Sequence, residues 1–231
     1  MTASNTRRGR SRHARNKQQN MKLIQQLKWL LPSLSFSVLL LGVRILHTAS
    51  PAFIFLAWNL FLAFVPVLFA REALRTTHQW KGWLYAGLWL LFFPNAMYIV
   101  TDLFHLWQHP GVPLWYDLLL LFSCALNGIA MGFYSLSKME QWLRRNIPTV
   151  YIKPVILAVM IASGFGIYLG RYQRWNSWDI VMQPFSLLAD VGRHVIHPFR
   201  YAESWEISLL FGVWMYLLYQ YFIKPAVRSK A

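Results

Sequence analysis

Six long apolar runs constrain the fold of this chain more than any other feature of its sequence. They lie at residues 29–46, 52–70, 82–100, 114–136, 155–170 and 205–223. Each is close to the roughly 20 residues that a helix needs to cross the hydrocarbon core of a bilayer. The apolar residues are continuous and do not alternate, which favours helices over the strands of a membrane barrel. We therefore predict an all-α, polytopic membrane helix bundle of about six transmembrane helices.

The overall composition supports this prediction. Hydrophobic residues make up 56% of the 231 residues and charged residues 13%, whereas soluble domains average about 45–50% and about 25%. The 12 Trp and 11 Tyr suit a protein that meets two membrane–water interfaces. The single cysteine excludes an intrachain disulfide.

The ends of the chain differ from the apolar bundle. Residues 1–28 are polar and basic without apolar periodicity, so we predict a disordered cytoplasmic tail. This tail lacks the form of a cleaved signal peptide, because its basic region is too long and no small-residue cleavage site follows. Contact with membrane lipids fits its charge better than binding to nucleic acid, which we do not predict. Residues 29–223 then form a single bundle, and residues 224–231 form a second cytoplasmic tail.

The basic residues predict an orientation. Eighteen of the 23 Lys and Arg fall before the first run, in the second and fourth connections, or after the last run. Because Lys and Arg collect on the cytoplasmic side, we predict a plasma-membrane protein with both termini in the cytoplasm. Six of the eight acidic residues fall at the opposite ends of the runs. The titratable chemistry is therefore concentrated on the predicted outer face.

A polar stripe occupies the outer part of the third run, "FFPNAMYIVTDLFHL". At helical spacing one face carries Asn95, Tyr98, Asp102, His105 and His109. Pro94 lacks an N–H and predicts a kink or break, which in many transporters exposes carbonyls at a binding site. Intramembrane polar groups usually face the bundle interior or a wet cavity. The alternative is that Asn95 bonds a neighbouring helix and Asp102 marks the membrane boundary.

Other runs carry isolated polar residues that could join this stripe. Asn59 and Asn127 lie within the second and fourth runs, where hydrogen bonds between helices are the default role. Asp117 lies at the outer end of the fourth run. Its carboxylate could face either Asp102 or an arginine, and the spacing leaves both open.

A second dense stretch, "YLGRYQRWNSWD", follows the fifth run. Arg171 and Arg174 share one helical face, and guanidinium groups suit carboxylate or phosphate. We therefore predict an anionic lipid or another phosphate-bearing ligand at the outer face. The alternative is ordinary snorkelling of arginine at a span end. Just before this stretch, Gly166 and Gly170 form a G-x-x-x-G pattern that predicts close helix packing.

The loop after this stretch predicts one outer interfacial amphipathic helix, beginning at Pro184. Its apolar side carries Phe185, Leu188, Val191 and Val195. Its polar side carries Asp190, Arg193, His194 and His197. Asp190, His194 and His197 are types that bind zinc, but a solvated polar face explains them better. We predict neither a metal nor a cofactor.

These two stretches resemble a family of prokaryotic multi-pass membrane proteins catalogued as domain of unknown function 1361. The resemblance covers most of the chain from the second run onward. It places in or beside the family's recognisable stretches Pro94, Asn95, Tyr98, Thr101, Asp102, His105, Asp117, Arg171, Arg174, Asn176, Trp178 and Asp179. Met97 stands where a second proline is expected. The family implies a prokaryotic plasma membrane and lends no activity.

Three functions fit these observations. The first is a non-catalytic membrane assembly or sensor protein, in which the outer polar groups hold the bundle together. The second is an enzyme acting on a lipid-linked or anionic extracytoplasmic substrate, with catalytic candidates Asp102, His105, Asp117 and Asp179. The third is a transporter with its site at a Pro94–Asn95 helix break. Candidate binding residues for each are Asn95, Tyr98, Thr101, Arg171, Arg174 and Asn176. The sequence contains neither the H-E-x-x-H pattern of zinc proteases nor a phosphate-binding loop.

One geometric prediction connects the two stretches. Asp102 is predicted to lie within salt-bridge reach of Arg171 or Arg174, in a pocket that also receives His105 and Asp117. The acids and bases come from different runs at similar membrane depth, and neither set is comfortable alone against lipid.

Overall fold

The computed structural model describes residue 28, residues 30–108 and residues 111–228. Within these residues the chain forms eight α-helices and no strand. They are α1 (Leu31–Thr48), α2 (Phe55–Arg75), α3 (Gln79–Tyr98), α4 (Leu114–Asn146), α5 (Ile152–Tyr172), α6 (Asp179–Met182), α7 (Pro184–Ile196) and α8 (Ala202–Arg228). A 3₁₀ segment, Ile99–His105, continues α3, and another, Thr149–Tyr151, precedes α5. The predicted all-α bundle is confirmed.

Five helices of the described chain are long and apolar enough to cross a membrane: α1, α2, α4, and α3 and α5 with their 3₁₀ segments. They coincide with the first five apolar runs. The sixth run falls on α8, which has 27 residues but is not one of these five candidates. Helix α8 extends to Arg228 and so covers part of the segment predicted as a tail from 224 onward. Residues 1–27, most of the predicted N-terminal tail, lie outside the described residues, as do His109 and residues 229–231.

Close packing of α3 against α5 depends on the predicted G-x-x-x-G pair. A Cβ atom on Gly166 would lie 2.9 Å from the ring of Pro94, and one on Gly170 would lie 3.1 Å from the ring of Tyr98. A side chain on Gly166 would force a shift of Pro94, and one on Gly170 would require the Tyr98 ring to give way, so glycine at both positions favours this close approach. The close packing predicted for this motif is confirmed.

Helix α8 is held against the opposite side of α5 by another pair of glycines. A Cβ atom on Gly164 would lie 2.5 Å from the carbonyl oxygen of Ser208, and one on Gly212 would lie 2.6 Å from the Cα atom of Ile161. The backbones of α5 and α8 therefore touch. This packing places α8 in the bundle beside the five candidate spans.

The predicted helix break at Pro94–Asn95 is wrong. Helix α3 continues through both residues to Tyr98, and only then tightens into the 3₁₀ segment. In a 3₁₀ helix residues three apart lie above one another. The tightening therefore keeps Asp102 and His105 on one side of the chain.

Helix α7 confirms the predicted amphipathic helix. Phe185 and Leu188 are 86% and 62% exposed, and Val195 is also exposed. Val191, predicted on the same apolar side, instead turns toward the bundle and lines a cavity. The exposed apolar face suits an interface between water and lipid, which stays a prediction.

Candidate functional site

A cavity of about 570 Å³ lies where the polar end of α3 meets α2, α5 and α7. Its volume falls within the roughly 300–1,000 Å³ typical of ligand pockets. Its walls are mostly apolar, with Leu62, Leu90, Phe165, Leu169 and Leu187 among them. Its polar side chains include Asn59, Asn95, Tyr98, Asp102, His105, Arg171, Asn176 and Ser177. The two dense sequence stretches therefore meet in one cavity.

Asp102 is held in this cavity by a neutral partner. The side chain is 1% exposed, and Asn59 Nδ2 on α2 donates a hydrogen bond of 2.8 Å to its Oδ2. In the described part of the chain no ion pair within 4.0 Å joins Asp102 to either predicted arginine. The predicted salt bridge is therefore wrong, although Arg171 lines the same cavity and is near enough to interact with Asp102 electrostatically.

His105 lies at the exposed end of the same face. Its Nδ1 lies 3.3 Å from the main-chain oxygen of Asp102, so its hydrogen-bond partner is the main chain of Asp102 and not the carboxylate. Its ring packs against Phe55 of α2, with the two centroids 4.9 Å apart. The imidazole is thus oriented by the 3₁₀ turn and by one aromatic contact. When Nδ1 donates to that carbonyl, Nε2 is left as an acceptor.

Among the described residues, Arg171 is the only Lys or Arg whose side chain lines this cavity. Its guanidinium lies over the ring of Phe104, 5.2 Å from the centroid. No hydrogen bond or ion pair of the described residues engages it. A half-buried guanidinium without a hydrogen-bonded carboxylate has the chemistry that suits an anion.

Asn95 fastens the loop after α5 to α3. Its Nδ2 donates to the main-chain oxygen of Phe92 at 2.9 Å and to Oγ of Ser177 at 2.8 Å. The Ser177 hydroxyl in turn donates to the main-chain oxygen of Leu91 at 3.2 Å. The sequence left open whether Asn95 faces a cavity or bonds a neighbouring helix. In the structure its side chain bonds the neighbouring loop after α5, at the edge of the cavity. This bond also brings Asn176 to the cavity.

Three predicted site residues lie outside the cavity lining and have local backbone roles. Arg174 adopts a left-handed conformation, with φ 61°, where the chain leaves α5. Asp179 accepts a hydrogen bond of 2.6 Å from the main-chain N–H of Asn176 and closes a turn. Thr101 is buried, and its hydroxyl donates to the main-chain oxygen of Tyr98 at 2.7 Å.

Asp117 does not join the predicted pocket, because it pairs with Arg44 of α1. Arg44 Nε and Nη2 donate to the two carboxylate oxygens at 2.7 and 3.2 Å. Arg44 and Asp117 are 4% and 1% exposed, and the guanidinium also lies over Phe53, 5.1 Å from the ring centroid. Of the two partners left open for Asp117 an arginine is correct, although Arg44 was not identified as that arginine from the sequence. The signal was Arg44 itself, since a charge inside an apolar run needs a partner.

The side chains of Asp190 and His194, two of the three weak metal candidates, have different partners, and the third, His197, is exposed. Asp190 accepts a hydrogen bond from the Trp175 indole at 2.9 Å and pairs with Arg193. His194 was predicted to lie on a solvated face. This prediction is wrong, because the side chain is only 2% exposed. Burial lowers the pKa of its imidazole, and the charge of Arg193 adds to the effect. Among the residues described here, no three or more His, Cys, Asp or Glu are grouped to hold a metal ion.

His194 lies in an aromatic cage. The rings of Phe165, Tyr168 and Tyr201 surround it with centroids 4.2 to 5.8 Å away. Its Nδ1 is 2.8 Å from the main-chain oxygen of Asp190, and its Nε2 is buried without a hydrogen-bond partner. The cage fixes α7 to α5 and to the chain entering α8. It thereby fixes the cavity wall that α7 contributes.

The fold and the cavity define a class: a helical membrane protein with an amphipathic cavity at one end of its bundle. Within that class the chain belongs to the family described as protein of unknown function (DUF1361), whose family model matches residues 58–218. The match begins in α2 and includes every cavity residue described above except Phe55. It excludes α1, and so Arg44. Searches of curated proteins and of solved structures found no match.

Proposed function

We propose that this protein is a non-catalytic sensor or assembly protein of the plasma membrane that binds an amphipathic ligand with an anionic head group. Arg171 carries the proposal, because its guanidinium lines the cavity and forms no ion pair within 4.0 Å with a carboxylate of the described residues. Asn176 lines the same region and supplies a neutral amide. The apolar walls suit the chain of a lipid or lipid-linked molecule.

The cavity faces outward in this proposal. It lies at the helix ends opposite to those where 18 of the 23 Lys and Arg collect, and the positive-inside rule places it outside the cytoplasm. Gln183, exposed in the loop before α7, offers a test, because the single native cysteine is buried. In intact cells Gln183→Cys should react with a membrane-impermeant maleimide. Reaction only after permeabilisation would overturn the orientation.

Ligand binding can be tested with dodecyl phosphate added to the protein in phosphatidylcholine nanodiscs and followed by calorimetry. Arg171→Gln should weaken binding at least about tenfold, because it removes a charge-assisted hydrogen bond. Arg174→Gln is the matched control, since Arg174 lies three residues away and outside the cavity lining, and it should bind as the wild type does. Dodecanol should bind more weakly than the phosphate. Equal affinity of wild type and Arg171→Gln for dodecyl phosphate would contradict the proposal.

A second candidate function is an enzyme acting on the same kind of ligand. It is favoured by the oriented imidazole of His105, whose Nδ1 faces a main-chain carbonyl while the ring borders the cavity. An oriented imidazole at a cavity is suited to general acid–base work. The wild type and His105→Gln would be incubated with total membrane lipid, and products would be sought by mass spectrometry. A product formed by the wild type and lost in His105→Gln, with dodecyl phosphate affinity retained, would establish the enzyme over the non-catalytic protein.

A further inference from the structure

A second cavity of about 370 Å³ lies at the other end of the bundle. It is formed by the connection between α2 and α3, the first turn of α3 and the end of α4. The residues that matter here are Thr76, His78, Gly82, Trp142 and Arg145, all of which line it. This is the end where Lys and Arg collect.

The N-terminus of α3 opens into this cavity without a cap. No side chain accepts a hydrogen bond from its first turn, and that turn contains no acidic residue. The first N–H groups of a helix have no acceptor within the helix and carry partial positive charge. Oγ1 of Thr76, which lines the cavity, receives the N–H of His78, before the helix begins. The end of α3 therefore presents donors.

An indole donor on a buried side chain in the same cavity also has no acceptor among the described residues. Trp142 of α4 is 5% exposed and lines the cavity. A Cβ atom on Gly82 would lie 3.1 Å from its Nε1, so the indole N–H lies against the first turn of α3. No described residue accepts a hydrogen bond from it. Within the described chain the one fully buried side-chain nitrogen or oxygen without a partner is His194 Nε2, so the Trp142 N–H is open to the cavity. This donor is independent of the helix terminus and points to an acceptor supplied from outside the protein.

The cavity also contains a positively charged side chain, which adds to the partial positive charge of the helix N-terminus. Arg145, at the end of α4, lines it and forms no ion pair with any carboxylate of the described chain. The nearby acids have other partners, since Glu72 pairs with Arg75 and Glu140 pairs with Arg144. An open helix N-terminus, an unpaired indole donor and a guanidinium together complement an anion with several acceptor oxygens.

We propose that this cavity binds a phosphate group, on the opposite side of the membrane from the first cavity. Trp80 and Trp83, both exposed, flank it on α3, and Lys81 lies 5.4 Å from the ring centroid of Trp80. Exposed tryptophans next to lysine mark the level of lipid head groups. The phosphate of an anionic phospholipid reaches that level, and so does a soluble phosphomonoester. The site does not depend on the ligand proposed for the first cavity.

The experiment measures binding of two probes to the purified full-length protein. One is glycerol 1-phosphate added to the protein in detergent. The other is phosphatidylglycerol, compared with phosphatidylcholine, retained by the protein in native mass spectrometry. Arg145→Gln should weaken binding at least about tenfold. Trp142→Phe removes the indole N–H together with part of the buried ring that packs on Trp83, and should weaken binding several-fold. Lys153→Gln is the matched control, because Lys153 is exposed, is placed on the same side by the basic-residue rule and does not line the cavity.

The outcomes separate the two sources of phosphate. Variant-sensitive binding of both probes supports a site open to soluble phosphomonoesters as well as lipids. Variant-sensitive retention of phosphatidylglycerol alone supports a lipid head-group site. If neither probe binds, or if both bind equally to the wild type, Trp142→Phe and Arg145→Gln, the proposal is overturned. Each variant's thermal unfolding is recorded first, and Arg145→Gln alone decides the matter if Trp142→Phe does not fold, because Arg145 is exposed.

Discussion

Two regions at the same end of the bundle use the same residue types in opposite ways. In the seam between α1 and α4, Arg44 and Asp117 neutralise each other through two hydrogen bonds. In the cavity between α2, α3 and α5, Asp102 takes a neutral amide partner, and Arg171 has an aromatic ring beneath it but no carboxylate. Charges that satisfy each other hold helices together. Charges that share a cavity without pairing remain available to a ligand.

The largest effect is expected in the seam. Asp117→Asn leaves the Arg44 guanidinium buried without a counter-charge, which costs about 3–5 kcal/mol when one partner of a buried pair is removed. Unfolding in detergent by denaturant titration would measure the loss. The double variant Arg44→Met, Asp117→Leu should recover most of it, because it removes both charges. A double variant as unstable as the single one would show that the pair is not the cause.

A pH titration tests the cavity wall formed by α7. The pKa of His194 is lowered by burial and by Arg193, so the folded protein holds a neutral ring at pH values where the unfolded chain becomes protonated. The contribution to stability is fully present above the unfolded pKa of about 6.5 and is lost as the pH falls through the lowered folded value. Thermal unfolding should therefore occur at a lower temperature at pH 5 than at pH 8. His194→Phe should reduce this difference, and His47→Gln, an exposed control, should not. An unchanged difference in His194→Phe would assign the pH dependence elsewhere.

A smaller effect is expected when the same acid-to-amide change is made in the cavity. Asp102→Asn can still accept the hydrogen bond from Asn59, and no described ion pair is broken. Its unfolding free energy should therefore change by no more than about 1 kcal/mol. The same detergent assay compares it directly with Asp117→Asn. Equal losses in the two variants would erase the distinction between the seam and the cavity.

The smallest effect is expected from the two arginines after α5. Arg174 has a left-handed conformation, which glycine adopts without steric cost, so Arg174→Gly should stabilise the protein by up to about 1 kcal/mol. Arg171 is in the last turn of α5, and Arg171→Gly should instead destabilise it by about 1 kcal/mol. Opposite signs in unfolding titrations would confirm that the two arginines differ in role. A loss of stability in Arg174→Gly would show that its side chain supports the loop.

Much of the fold could be predicted from the sequence because its signals are local. Length and hydropathy placed five spans and the helix of the sixth run, and the period of apolar residues placed α7. The Gly166 and Gly170 pattern predicted a close helix contact, since a missing side chain is visible in the sequence itself. The helix break was predicted wrongly because the prediction considered Pro94 alone and not the contacts that the surrounding residues make in the fold. In the fold, Ser177 and Asn95 link the chain at this point to the loop after α5.

The partners of the polar residues could not be predicted from the sequence. Helical spacing correctly put Asp102 and His105 on one face, but Asn59, 43 residues away, supplies the partner of Asp102. Asp117 and Arg44 are 73 residues apart, and only the packing of α1 on α4 brings them together. His194 was predicted in water, because spacing along α7 cannot show that aromatic rings from α5 cover one part of its polar side.

The sequence by itself determined that this is a helical membrane protein with its titratable groups concentrated toward one end. The reason is solvation. A long run of apolar residues is most stable in the hydrocarbon core of a membrane, whichever way the other helices pack. The tertiary structure alone decided which charges pair and which face a cavity. An ion pair depends on distances of a few ångströms between helices remote in sequence, and small residues at the helix contacts set those distances. The same Asp and Arg types therefore became a structural seam in one place and a candidate binding site in another.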